Sequence, residues 1–212
     1  MSLQNRVRPD GEIVADAACG EMMGNRGGAL HGTDRTLGKR RWVSRQWICC
    51  RLQFNGRHRE IMAPGRYTEL FFLDEATALA AGHRPCFECR RADATSFARH
   101  WSAARGLDVA AAAAEIDREL HAERLDQTNG AKRLHALDIA DLPAGAIFRD
   151  QISGEPRLVL ADCIRPWTAN GYGARIQRPR GGKVAALTPS STIAALNSGY
   201  LPLMHVSARD PG

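Results

Sequence analysis

The sequence has no apolar run approaching the ~20 residues that a bilayer-crossing helix needs. Its opening residues, Met1-Ser2-Leu3-Gln4-Asn5-Arg6, hold no apolar stretch of the signal-peptide kind, so export is not expected. Lysine is scarce, 3 residues against 26 arginines. These absences argue against a transmembrane protein and a secreted disulfide scaffold. With 44% hydrophobic and 25% charged residues, the chain is also too apolar for a disordered tail. What remains is a 212-residue globular chain, expected in the cytoplasm, with length for one or two domains and a core that needs no disulfides. Its six cysteines (19, 49, 50, 86, 89 and 163) are then metal ligands, buried apolar residues or reactive thiols.

Charge is unevenly placed. The formal net charge of +6 falls wholly in residues 1–105, and 106–212 balances to zero. Between 35 and 66, nine basic residues (Arg35, Lys39, Arg40, Arg41, Arg45, Arg51, Arg57, Arg59 and Arg66) face Glu60 alone. The guanidinium fork suits phosphate and stacks on aromatic rings. With Trp42, Trp47 and Phe54 interleaved, this segment has the composition of a nucleic-acid-contacting surface. A GC-rich genome would also raise arginine and alanine, but would not segregate charge between halves.

The expected fold class is α+β with two lobes. Residues 1–106 should form a small antiparallel sheet with helices around a Cys-x-x-Cys zinc knuckle, 107–125 a connecting helix, and 126–212 a β-rich lobe. Residues 1–34 are Gly-rich and read as an irregular arm. Trp47–Phe54 and Arg57–Ala63, joined by Asn55-Gly56, read as a β-hairpin. Its alternation puts Ile48, Cys50, Leu52, Phe54, Ile61 and Ala63 on the core face and Cys49, Arg51, His58 and Glu60 opposite. A strand over Tyr67–Leu73 leads to a helix capped by Asp74 and closed by Gly82. A turn, His83-Arg84-Pro85, then delivers Cys86-Phe87-Glu88-Cys89, and a second helix runs to about Ala104. Another helix is expected over about Asp108–Leu125. Strands at Ala146–Arg149, Arg157–Ala161 and Lys183–Leu187 precede a short helix from Thr188-Pro189 to Gly199. Residues 78–85 and 195–202 share the pattern A-L-x-x-G-[aromatic]-x-P, which reads as ordinary helix-end punctuation or as a duplicated unit whose second copy lacks the cysteines.

A Cys-x-x-Cys pair serves zinc sites and redox couples alike, and its place at a helix start lowers thiol pKa for either use. The setting is not the βαβ context of a thioredoxin-like dithiol. Cys50, on an inward strand face, can supply a third ligand. The run Phe72-Leu73-Asp74-Glu75-Ala76-Thr77-Ala78-Leu79-Ala80-Ala81-Gly82-His83-Arg84-Pro85-Cys86-Phe87-Glu88-Cys89-Arg90 resembles the zinc-binding N-terminal domain of the bacterial Ada alkylation-repair proteins. Ile48-Cys49-Cys50-Arg51 is similar to that family's strand carrying the first thiolate ligand. The resemblance covers about residues 48–91. It implies zinc at Cys50, Cys86 and Cys89 and a DNA partner.

The family's second ligand lies four residues after the first, where this chain has Phe54. The fourth ligand is therefore left among Cys49, His83, His58, Cys19, Cys163 and water. The family's suicidal methyl transfer, which uses a fully anionic site, is not carried over. Phosphate contacts are expected from Arg40, Arg41, Arg45, Arg51, Arg57, Arg59, Arg84, Arg90 and Arg91. A metal-dependent nuclease using His58 and Glu60, or His121, Glu123, Lys132 and His135, is a second reading. A structural zinc protein that binds a protein partner is a third. Trp167 and Tyr172 could stack a base or anchor the fold.

Overall fold

The computed structural model describes residues 2–56 and 60–209. It is α+β, with two sheets and four α-helices among the described residues. The strands of the first sheet are β1 (Gln4–Val7), β2 (Ile13–Ala15), β3 (Met22–Asn25), β4 (Ile48–Arg51), β5 (Leu70–Phe72) and β6 (Arg84–Pro85), in spatial order β2-β1-β5-β3-β4-β6. The second sheet is built from β7 (His135–Asp138), β8 (Ile147–Arg149), β9 (Pro156–Val159), β10 (Cys163–Thr168), β11 (Gly171–Tyr172), β12 (Ile176–Gln177) and β13 (Lys183–Ala186), ordered β11-β10-β9-β8-β13-β7 with β12 also on β10. The helices are α1 (Glu75–Ala80), α2 (Arg91–Ala103), α3 (Ala113–Arg124) and α4 (Ser190–Asn197). None is long and apolar enough to cross a membrane.

Among the described residues, strands pair only within their own segment, 4–85 or 135–186. The core beneath the helices is shared. One cluster joins Leu79, Phe97, Trp101, Ile116 and Leu120 to Phe148, Val159, Ile164 and Leu196, and another joins Leu73, Ala76 and Ala80 to Ile147, Leu158 and Trp167. Helix α1 makes this possible. Every residue in it is buried, and its alanines and Leu79 reach three separate clusters. Its small or apolar residues pack against the layers, and its two polar ones, Glu75 and Thr77, are buried with hydrogen-bond partners.

The ends of α1 follow the sequence. The Asp74 carboxylate accepts from the Thr77 amide at 2.8 Å, and Gly82 adopts φ +87°. The amide of Gly82 bonds to the Leu79 carbonyl and that of His83 to the Ala78 carbonyl, both at 2.9 Å, which is the Schellman closure. Helix α4 ends in the same way, with Gly199 bonding to Leu196 at 3.0 Å and Tyr200 to Ala195 at 3.1 Å. The A-L-x-x-G-[aromatic]-x-P echo is thus one strand–helix–Schellman unit used in both halves.

Several expectations are corrected. The hairpin does not form among the described residues. Asn55 and Gly56 turn with positive φ, 52° and 63°, but 60–63 is no strand, and β4 pairs instead with β3 and β6. Leu52, expected inside, is 47% exposed. The irregular arm holds three strands, and β3 lies between β4 and β5. A Cβ on Gly24 would stand 2.2 Å from the Ile48 carbonyl oxygen, so only glycine allows the two strands this approach. Helix α3 begins at Ala113, because Ala112 is extended and the Ala111 amide is taken by the Ser102 hydroxyl of α2 at 2.9 Å.

A candidate metal centre facing a cavity

The site arises from strand register. Strand β6 runs parallel to β4, with Ile48 opposite Arg84 and Cys49 opposite Pro85. The Cys86 amide then donates to the Cys49 carbonyl at 3.0 Å, which sets Cys86 beside Cys50. The chain turns at Cys86–Arg90, where the Arg90 amide bonds to the Cys86 carbonyl at 3.0 Å, and enters α2. The turn brings Cys89 back to the same point. The sulfurs of Cys50, Cys86 and Cys89 all lie within 4.8 Å of one another.

Their surroundings favour a bound cation. The Glu88 amide points at the Cys86 sulfur, 3.4 Å away. Hydrogen bonds from the Cys50 and Cys89 thiols, with help from the Cys89 and Glu88 amides, hold the Cys86 thiol down to about 2. Cys50 is raised, by its bonds to Cys86 and Cys89 and then by burial. Cys89 is lowered by Cys50, but its bond to Cys86 and its burial raise it more. Of the three thiols, Cys86 is thus the one that ionises most readily. A thiophilic ion would displace the remaining thiol protons. Three soft sulfurs at this separation fit a tetrahedral zinc ion, whose ~2.3 Å bonds place sulfurs ~3.8 Å apart.

Among the described candidates for a fourth ligand, none joins the cluster. Cys49, expected on the polar face, points the other way from Cys50 into the core. Burial raises its thiol, which accepts from Arg90 at 3.6 Å. His83 is buried against Phe72 and Trp47, with Arg26 donating to its Nε2 at 3.3 Å. Cys163 belongs to β10 in the other sheet, and Cys19 is exposed before β3. His58 lies outside the described residues. The sulfurs instead border a cavity of about 720 Å³. Phe54 lines it together with Met23, Ile48, Tyr67, Glu69 and Phe71.

The arginines divide into two groups. Arg40, Arg41, Arg45, Arg51 and Arg91 are exposed, while Arg57 and Arg59 lie outside the described residues. Arg84 and Arg90, expected at phosphates, are buried structural cations. Arg84 makes a two-pronged pair with Asp117 at 2.8 and 2.7 Å. Arg90 pairs with Glu75 at 2.7 Å and Asp93 at 2.9 Å. Both brace the cysteine turn, one against α3 and the other against α1. Trp47, expected at nucleic acid, is buried between the guanidiniums of Arg26 and Arg124, 3.8 and 3.9 Å from its ring.

The other candidate chemistry has structural employment. Glu123 caps α4 through the Ser191 amide and hydroxyl, and His135 bridges the Glu123 carbonyl to Ser190. Lys132 donates to the Ala80 carbonyl. His121 packs edge-on to Trp42, and burial beside Arg124 and Arg45 lowers it to about 4. Glu60 is exposed and pairs with Arg35. Trp167 and Tyr172 are buried, donating to Thr77 and Asp74, so neither can stack a base. Sequence reasoning missed Glu69, a fully buried strand-end carboxylate on the cavity wall. No protein family, curated protein or solved structure matches the chain.

Proposed function

We propose that this chain is a zinc protein that binds nucleic acid, with DNA as the partner. The convergence of Cys50, Cys86 and Cys89 carries the reading: three sulfurs from two segments meet one residue before the exposed Arg51. The metal would tie β4 to the start of α2 and fix the lobe that carries the basic loop. That loop, between β3 and β4, presents Arg40, Arg41 and Arg45, while buried groups hold its backbone. The Arg26 guanidinium donates to the Arg41 carbonyl at 3.3 Å, and Arg124 to the Arg45 carbonyl at 2.7 Å. The Ada-like run Leu73–Cys89 supports the same reading by resemblance. Zinc bound here would supply a Lewis-acidic centre and a cross-link; the chain's own arginines supply the attraction to phosphate.

The test is fluorescence anisotropy of a labelled duplex against the zinc-loaded protein over a salt series. Each phosphate neutralised contributes about −0.9 to the slope of log K against log salt. With one phosphate neutralised by each of Arg40, Arg41, Arg45, Arg51 and Arg91, the slope is about −4.5. Arg40→Ala with Arg45→Ala should flatten it by about 2. Absent binding, or binding indifferent to salt, would overturn the nucleic-acid reading.

A further inference from the structure

Of the four tryptophans, Trp47, Trp101 and Trp167 are buried. Trp42 is 36% exposed, and it stands in the basic loop between β3 and β4. Other groups set the shape of that loop. The amides of Val43 and Ser44 donate to the Arg26 carbonyl at 2.9 and 3.2 Å, and the Arg26 guanidinium returns to the Arg41 carbonyl at 3.3 Å. Arg41 braces the loop further through the Gly38 carbonyl. At the far end Arg124 holds the Arg45 carbonyl, and Trp47 anchors the chain between the Arg26 and Arg124 guanidiniums. One tryptophan is thus the anchor of the loop, and the other is carried outside it.

The exposed ring is propped in place. His121, near the end of α3, meets it edge-on, with ring centroids 4.7 Å apart and planes at 75°. His121 is itself held by Arg124, whose Nη2 donates to its Nδ1 at 3.0 Å. The same arginine therefore fixes the loop backbone and the imidazole against which the indole leans. Arg40 and Arg41 precede the indole and Arg45 follows it, all three exposed.

Cations beside an aromatic ring on an ordered, exposed loop have complementary uses on a nucleic acid. Guanidiniums attract phosphates on any strand. A ring stacks on a base face, and every base has one. In a duplex those faces are already covered by neighbouring bases; in a single strand they are free. We propose that Trp42 stacks on an unpaired base, so that the basic loop takes single-stranded DNA, with Arg40, Arg41 and Arg45 at the flanking phosphates. The inference rests on the nucleic-acid half of the proposed function and names the form of its partner.

The experiment compares two labelled strands of about twelve nucleotides by anisotropy, within the ~4–16 that single-strand surfaces cover. One is oligothymidine. The other consists of abasic spacers and carries the same phosphates without bases. At equal salt the zinc-loaded full chain should bind the thymidine strand about ten-fold more tightly, as one stacking contact provides. Trp42→Ala should reduce that preference to about two-fold or less, with the slope of log K against log salt retained. Trp42→Phe, which keeps a ring, should recover most of it. The thymidine strand alone should quench tryptophan emission, because the other three indoles are buried. Equal affinities for the two strands in the unaltered chain would overturn the proposal, a comparison that stands even if Trp42→Ala does not fold. So would a Trp42→Ala loss that falls equally on both strands, the mark of a ring that only shapes the loop, or equally on a blunt duplex. A chain that binds neither strand nor duplex removes the nucleic-acid reading and this one together. One that binds both strands alike removes this one only.

Discussion

Replacing Glu75 by alanine should be among the most damaging single changes in this chain. The Glu75 carboxylate is fully buried at the start of α1 and is shared by three donors. The Tyr200 hydroxyl binds one oxygen at 2.6 Å; Arg90, at 2.7 Å, and the Leu203 amide, at 2.9 Å, bind the other. Arg90 follows Cys89 directly, so this carboxylate clamps the cysteine turn to the C-terminal segment. Without it, Arg90 keeps only the half-buried Asp93 as a carboxylate partner, and the Tyr200 hydroxyl loses its acceptor. Removing one partner of a buried pair costs about 3–5 kcal/mol. That is a large share of the roughly 5–15 kcal/mol by which folded domains are stable. Glu75→Gln keeps acceptor oxygen and shape but loses charge, and should cost about 1–3 kcal/mol. Urea denaturation of the zinc-loaded proteins, followed by far-ultraviolet dichroism, measures both. A cost below about 1 kcal/mol for Glu75→Ala would refute the clamp.

Gly24→Ala tests the crowding in the first sheet. Its Cβ would lie 2.2 Å from the Ile48 carbonyl oxygen and 2.8 Å from the Phe72 ring, so β3 and β4 must separate. A loss of about 1–3 kcal/mol on the same urea assay is expected, with weakened metal retention against a chelator, because β4 carries Cys50. Acid should destabilise the chain through His83. Burial, then Arg26 and Arg124, hold this imidazole neutral well below its usual range. The unfolded chain therefore takes up a proton below about pH 6.5 that the folded one refuses. Stability is present above that pH and falls beneath it by up to about 1.4 kcal/mol per unit. His83→Gln should show a shallower fall from pH 6.5 to 5.5, and parallel curves for the two proteins would contradict the assignment.

Local punctuation was readable from the sequence, and long-range pairing was not. Asp74, Gly82, Pro189 and Gly199 mark the ends of α1 and α4 through bonds made within a few residues. The cysteine cluster was readable for the same reason at Cys86 and Cys89. Cys50 faces the site from one side of β4, between β3 and β6 rather than in a hairpin, and Cys49 fills the core on the other. Asn55-Gly56 is a strong two-residue hairpin signal and implies a returning strand. The turn forms, but β3 occupies the pairing position from a glycine-containing segment that local propensity marks as irregular. Arg84 and Arg90 read as phosphate contacts because Asp117, 33 residues from Arg84, and Glu75, 15 residues from Arg90, are joined to them only by the fold. Glu69 gave no signal, since its burial is not a property of neighbouring residues.

The metal content of the purified chain tests the three-cysteine centre most directly. Mass spectrometry under native conditions, with elemental analysis of the same sample, should find one zinc per chain. Cys86→Ala should lose it, while Cys163→Ala, altered in the other sheet, should keep it. A chain that carries no metal after zinc exposure, or a Cys86→Ala protein that binds zinc as tightly as its parent, would contradict the three-cysteine centre.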